Sequence, residues 1–182
     1  MITVRPATAA DAPALAAIYG DACLHGFGTF EEAAPSSDEM ARRLAEIQAY
    51  GLPYLVAEQA GKVVGLSYAK PFRPRSAYRF TVEDSIYIAP AAKGSGVGRA
   101  LLSALIPACE ALGMRQMVAV IGDSENHGSI GLHRAMGFSP AGAFEAVGFK
   151  HGRWVDIVFM QRALNSGRQG PPDAAGLSLS ES

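Results

Sequence analysis

The sequence predicts one α/β domain, built as a mixed sheet with helices on both faces. Two observations carry this. Stretches with strand character outnumber those with helical spacing, and the two kinds alternate irregularly along the chain, which suggests a mixed sheet. The chain's size sets the number of domains: 182 residues, 49% of them hydrophobic, suffice for one domain with a sizeable core.

The elements follow in order. "ITVR" at the N-terminus reads as a strand. Asp11 is expected to cap a helix running to about Tyr19. Ser36 with Glu39 makes a capping-box pattern for a second helix, ending near Ala49. "YLVAEQA" and "KVVGLSYAK" are two strands meeting at Ala60-Gly61, a hairpin signal. "FTVEDSIYI" is another strand. A glycine-rich stretch and a helix come next, with Leu101, Leu102, Leu105, Ala108, Cys109 and Leu112 at helical spacing. "QMVAVIG" is a strand; Asp123 or Ser124 opens a helix that ends near Gly137. "GAFEAVGFKHG" and "WVDIVFMQR" close the domain as antiparallel strands. Residues 1–164 form the domain, and the Gly-, Pro- and Ser-rich stretch 165–182 reads as a flexible or loosely attached tail.

"PAAKGSGVGRALLSAL" carries the first chemical signal. Gly94, Gly96 and Gly98 leave backbone N–H groups uncovered where a helix begins. A helix N-terminus has unpaired donors and partial positive charge, so the stretch suits a phosphate or pyrophosphate. A flexible turn before a helix is the plain alternative. Two phosphate-binding motifs fail. A P-loop needs Lys-Ser or Lys-Thr after its last glycine, whereas Lys93 precedes the glycines and Arg99 follows them. A dinucleotide fingerprint started at Gly96 meets Leu101 at its third position. What remains is a basic residue, two spacers, Gly96, one spacer and Gly98.

Composition narrows the partners. A net charge of −1 implies no broad basic face for nucleic acid. Cys23 and Cys109 make no disulfide framework, and Cys109 lies on the apolar side of a helix. No apolar run has the length of a membrane span, and "MITVRPAT" lacks the apolar core of a signal peptide. A cytoplasmic protein is expected. No His/Cys/Asp spacing suggests a metal site.

The glycine pattern resembles the acetyl-coenzyme A pyrophosphate loop of the GNAT family of N-acetyltransferases, Gln/Arg-x-x-Gly-x-Gly/Ala, with Lys93 as a conservative departure. The element order is similar over roughly residues 2–163. The chain also resembles the phosphinothricin and methionine sulfoximine N-acetyltransferase branch, in "PFRPRSAYRFTVEDSIYI", "VAVIGDSENHGSIGLHRAMGF" and "VGFKHGRWVDIVFMQ". The resemblance implies the GNAT fold, a mixed and mostly antiparallel sheet. It implies acetyl-CoA as cosubstrate, held by Lys93, Gly94, Ser95, Gly96, Val97, Gly98 and Arg99. Asn126 then contacts the pantetheine arm, with Ser129 beside it, and backbone N–H groups near Tyr87 and Ile88 polarise the thioester carbonyl. The implied activity is direct transfer of acetyl to the α-amine of a small amino acid or glutamate-like inhibitor, with no metal.

Two residues are the catalytic candidates. In "TVEDSIYI" strand alternation puts Val82, Asp84 and Ile86 on one face, and Glu83, Ser85 and Tyr87 on the other. Alone, Glu83 reads as a solvated edge-strand carboxylate; the resemblance makes it the general base for a protonated amine. His133 alone reads as a surface or core histidine. The resemblance places it where many family members carry a tyrosine that protonates the departing thiolate.

For the acceptor, Arg73 and Arg75 stand in a proline-stiffened loop, where guanidinium forks suit a carboxylate; two solvated arginines are the equal alternative. Tyr78, Tyr87, Phe30 and Glu83 would shape the pocket, and Lys150 and Trp154 would complete it or a subunit contact. The branch forms homodimers, so a homodimer is expected by resemblance. The other readings are an N-acetyltransferase for a polyamine, an antibiotic or a protein N-terminus, and a catalytically silent CoA sensor.

Overall fold

The computed structural model describes residues 1–179. Seven strands form one sheet in the order β1-β2-β3-β4-β5-β7-β6. They are β1 (Ile2–Pro6), β2 (Tyr54–Gln59), β3 (Lys62–Pro71), β4 (Thr81–Ile88), β5 (Gln116–Gly122), β6 (Ser139–Lys150) and β7 (Arg153–Ala163). Every neighbouring pair is antiparallel except β4 and β5. The helices are α1 (Ala12–His25), α2 (Ser37–Ala49), α3 (Val97–Ala111) and α4 (His127–Ala135). No helix among the described residues is long and apolar enough to cross a membrane.

Two apolar clusters sandwich the sheet, as the expected architecture requires. One packs Leu15, Ile18 and Tyr19 of α1 and Met40 and Leu44 of α2 against Tyr54, Val56 and Leu66. The other packs Leu101, Leu102, Leu105 and Cys109 of α3 against Ala57, Ala69, Val82 and Met117. Burial pushes the Cys109 thiol up to about 12, with the charge of Asp84 adding to the effect, so this cysteine is an inert core group.

Local signals explain most boundaries. Ala60 and Gly61, with φ of 50° and 75°, make the tight turn between β2 and β3. Ser36 accepts from the Glu39 amide at 3.1 Å and starts α2. Two boundaries differ from expectation. Helix α1 continues past Tyr19 to His25, because Gly20 is buried against Ala34, Cys23 is buried in the core under α1, and Gly26 provides the stop. Asp11 makes no cap bond with its side chain there; it turns back to Arg5 and Thr8. Helix α4 is capped by Asn126, not by Asp123 or Ser124: Asn126 Oδ1 accepts from the Ser129 amide at 3.2 Å. Asp123 is occupied by Arg153, with its backbone at φ 75°.

The described part of the tail lies against the domain. Buried Arg115 donates through Nε to Gly167 O at 2.8 Å and through Nη2 to Gln169 O at 2.6 Å. The Leu177 amide donates to Arg79 O at 2.8 Å, and the Leu177 side chain is buried. A loosely attached tail was expected from composition; the buried guanidinium and Leu177 anchor residues 165–179 in this structure. Residues 180–182 of that expectation lie outside the described residues.

Candidate active site

The site begins where a strand pair ends. Strands β4 and β5 are registered from Thr81–Gln116 to Asp84–Ala119 and no further, although β4 runs to Ile88 and β5 to Gly122. Beyond that point they enclose a cleft of about 730 Å³, lined by Asp84 to Ile88 on one side and Ala119 to Asp123 on the other. That size suits a small-molecule site. On the side where pairing has stopped, the backbone polar groups of β4 have no strand partner and are available to a ligand.

The glycine loop stands at one end. Lys93 and Gly94 line the cleft. Gly94 and Gly96 have φ of 76° and 91°, a backbone that glycine adopts without strain. The Ser95 hydroxyl is turned inward to Ala92 O at 2.7 Å, which tightens the loop. Helix α3 starts at Val97, so its first amides have no intrahelical acceptor and are open to an anion. Arg99 is exposed, and the Val97 side chain is buried in the core. Gly98 has a different reason from the one expected. A Cβ there would stand 2.8 Å from Leu132 Cδ2 and 3.0 Å from Ile88 Cδ1, so this glycine lets α3 approach α4 and β4. Its space is filled by protein, not left for a phosphate.

Asn126, which caps α4, and Ser129, Leu132 and His133 of α4 form another wall. His133 is 2% exposed and stacks edge-on against Phe138 at 5.0 Å. Its Nε2 lies 3.0 Å from Asp84 Oδ2, and its Nδ1 lies 2.8 Å from Ser129 O and 3.3 Å from Ser129 Oγ. Burial alone would lower the pKa of His133; the Asp84 bond and charge and the Ser129 carbonyl outweigh it, and the net shift is upward. Asp84 was not a sequence candidate. Its signal was there: a carboxylate on the same face as Val82 and Ile86, where apolar side chains enter the core.

Glu83 projects from the opposite face of β4. Its Oε1 lies 2.9 Å from Lys70 Nζ of β3, and its side chain is 13% exposed. On the same face Tyr87 packs edge-on against Tyr19 at 4.7 Å, and burial raises its pKa well above the ordinary tyrosine value.

The acceptor candidates scatter. Arg73, Arg75 and Tyr78 are exposed on the turn between β3 and β4. Arg73 stacks on Phe72 at 4.5 Å and donates to Phe72 O. No guanidinium is turned inward as expected. Lys150 is 2% exposed and is not among the residues lining the cleft; its Nζ donates to Thr29 O at 2.7 Å and to Ala22 O at 3.5 Å. It fastens the β6–β7 hairpin to the α1–α2 loop, and burial lowers its pKa. Phe30 lies against Gly148 of the same hairpin. Trp154 is 63% exposed and meets Phe149 at 5.3 Å on the outer face. Lys150 and Phe30 thus act as ties between loop and hairpin within this chain. Phe27 and Gly28 line the cleft, and Arg153 stacks over Phe27 at 3.9 Å; sequence reading had no local signal for that stack.

Comparisons agree with this geometry. The family model described as "Acetyltransferase (GNAT) domain" matches residues 4–159. A phosphinothricin N-acetyltransferase of Alcaligenes faecalis is 53% identical over 94% of this chain and 87% of its own length. An L-methionine sulfoximine/L-methionine sulfone acetyltransferase of Salmonella typhimurium is 38% identical over 95% of this chain and 99% of its own. The crystal structure of a phosphinothricin acetyltransferase from Sinorhizobium meliloti, in complex with acetyl-CoA, superposes with a TM-score of 0.91 at 52% identity, covering 94% of this chain and 92% of that one. A family match across nearly the whole sheet, joined to a parting of β4 and β5 that a glycine loop closes at one end, makes this chain a member of the GNAT acetyltransferase family.

Proposed function

We propose that the protein transfers acetyl from acetyl-CoA to the α-amine of small amino acids of the phosphinothricin and methionine sulfoximine type. The observation that carries the reading is the parting of β4 and β5, with a carboxylate behind it on one face and a buried histidine on the other. The relatives' activities and the acetyl-CoA in the Sinorhizobium structure support the same chemistry.

The residues present fit this cosubstrate. Lys93, the bare α3 amides and the left-handed glycines suit a pyrophosphate, and Asn126 and Ser129 offer polar groups further along the cleft. Unpaired backbone N–H groups of β4 near Tyr87 and Ile88 suit a developing oxyanion. In this reading Glu83 takes the proton of the attacking amine from the α1–α2 face of the sheet, and His133 supplies a proton to the leaving thiolate from the α3–α4 face. Arg73, Arg75 and Tyr78 stand on the loop that joins the strands bearing Lys70 and Glu83, and reach an acceptor's carboxylate by a rotation of exposed side chains.

The outer face of the β6–β7 hairpin exposes Phe144, Val147, Phe149 and Trp154. Together with the resemblance, this supports a homodimer formed through that face, which sedimentation of the wild-type protein and of Trp154→Glu would test. A monomeric wild type would remove the dimer from the account.

The activity is tested by thiol release from acetyl-CoA across a panel of L-amino acids and their decarboxylated amines. Release with methionine sulfoximine and phosphinothricin, and a selective rise in KM for amino acids in Arg73→Ala and Arg75→Ala, are expected. Cofactor binding without release for any acceptor would mark a silent CoA binder. Equal losses for acids and amines would remove the arginines from carboxylate recognition.

A further inference from the structure

Three groups stand in line beneath the cleft: the Asp84 carboxylate on β4, the His133 imidazole on α4 and the Ser129 hydroxyl one turn before it. Both ring nitrogens are engaged. Nδ1 faces Ser129 O at 2.8 Å, a carbonyl that can only accept, so Nδ1 carries a proton. Nε2 faces Asp84 Oδ2 at 3.0 Å, and an ionised carboxylate also only accepts. Asp84 and His133 are 1% and 2% exposed at their side chains, so neither charge is shared with bulk water. Among the described residues Asp84 Oδ1 has no hydrogen-bond partner, and Asp84, Ser129 and His133 all line the cleft.

We propose that Asp84 is a positioning residue for the acetyl-transfer step. It pins the Nε2 proton of His133, so that the Nδ1 proton is the mobile one and leaves through the Ser129 hydroxyl. This rests on the reading of His133 as the acid. The balance is closed. As the carbon–sulfur bond breaks, its electron pair goes to sulfur. Sulfur takes the Ser129 hydroxyl proton, and Ser129 Oγ takes the proton from His133 Nδ1, 3.3 Å away. The ring ends neutral, with Nε2–H still given to Asp84, and the serine is unchanged. The amine's proton leaves separately, on the Glu83 side of the sheet.

The geometry separates this role from plain support of the fold. A buried carboxylate needs a partner for stability alone, so the pairing does not decide it; what does is that Asp84, Ser129 and His133 all line the cleft and that Asp84 Oδ1 is left without a partner among the described residues. Asp84 comes from β4, and the Cys109 thiol of α3 is close enough for Asp84 to raise its pKa, which burial already raises. Cys109 stays neutral at working pH, and the charge of Glu110 on the same helix raises it further. Burial acts to lower the pKa of His133, and the Asp84 hydrogen bond and charge, with the Ser129 carbonyl, outweigh it.

The test combines 15N-histidine NMR with the pH dependence of kcat, in wild type, Asp84→Asn, Ser129→Ala and His133→Gln. In the wild type both His133 nitrogens should be protonated at neutral pH, which needs no variant to fold. In Asp84→Asn the His133 titration should move to lower pH, and the falling limb of kcat should move with it while acetyl-CoA affinity holds. Ser129→Ala should lower kcat by about tenfold or more without moving the His133 titration. A bare ring nitrogen in the neutral wild type would overturn the proposal. So would an Asp84→Asn enzyme whose titration and kcat profile match the wild type while His133→Gln is impaired, a result that leaves the role of His133 standing. Wild-type turnover in His133→Gln would overturn that role and the proposal together.

Discussion

Glu83 and Asp84 are neighbours in β4 and serve opposite faces of the sheet. Glu83 pairs with Lys70 at 2.9 Å on the α1–α2 side, and Asp84 meets His133 at 3.0 Å on the α3–α4 side. The two-residue period of a strand makes this inevitable, and it puts a lysine-paired carboxylate on one face of β4 and a histidine-paired carboxylate on the other. The cleft exists because β5 leaves β4 after Ala119.

The two loop glycines should fail in different ways. Gly98→Ala drives a methyl into Leu132 and Ile88, so it should cost stability, about 1–3 kcal/mol. Gly96 has room for a methyl, with Ile2 Cδ1 4.0 Å away, but sits at φ 91°. Gly96→Ala should cost about 1–2 kcal/mol through the backbone and also weaken acetyl-CoA binding. Urea unfolding and calorimetry separate the two losses. Equal acetyl-CoA affinity in Gly96→Ala and wild type would remove the loop from the pyrophosphate site.

Stability should depend on pH through His133. Its pKa is raised in the fold above its unfolded value, near ~6.5. The stabilisation this represents is therefore fully present below the unfolded value and is lost as pH rises through the folded one. Asp84→Asn removes the charge that causes the rise, so the gap in unfolding free energy between wild type and variant should be widest in mildly acidic solution. It should narrow as pH rises through the folded pKa of His133. Urea titrations over that range measure the gap, and a gap that widens with pH would contradict the assignment.

Arg115 should anchor the tail. Its guanidinium holds Gly167 O and Gln169 O from a buried position. Arg115→Ala leaves those carbonyls without their charged donor and should cost about 2–3 kcal/mol. Limited proteolysis should then cut within residues 165–179 faster than in the wild type. Unchanged cleavage would mean that Leu177 alone secures the segment.

Much of this arrangement was legible in the sequence, and what was missed shares one cause. The Ala60-Gly61 turn, the β4 alternation and the glycine loop are local signals, readable within ten residues. The cap of α4 was misplaced because Asp123 is claimed by Arg153, thirty residues away. Lys150 read as completing the pocket or a subunit contact because nothing near it shows that its ammonium meets the Thr29 carbonyl, 121 positions earlier. Asp84 was placed on the inner face, but its partner His133 is 49 positions distant. Composition marked the tail as loose, and contacts at buried Arg115 and Leu177 hold its described part against the domain. Contacts between distant segments decide such cases, and single-sequence patterns do not carry them.

In the proposed reaction Glu83 and His133 carry the proton transfers from opposite faces of β4. The most direct measurement is turnover with methionine sulfoximine at saturating acetyl-CoA in wild type, Glu83→Gln and His133→Gln, beside acetyl-CoA affinity by calorimetry. Each variant should bind acetyl-CoA like the wild type and lose roughly 10²–10⁴-fold in kcat. Losses below about threefold in both variants, with binding intact, would contradict the account.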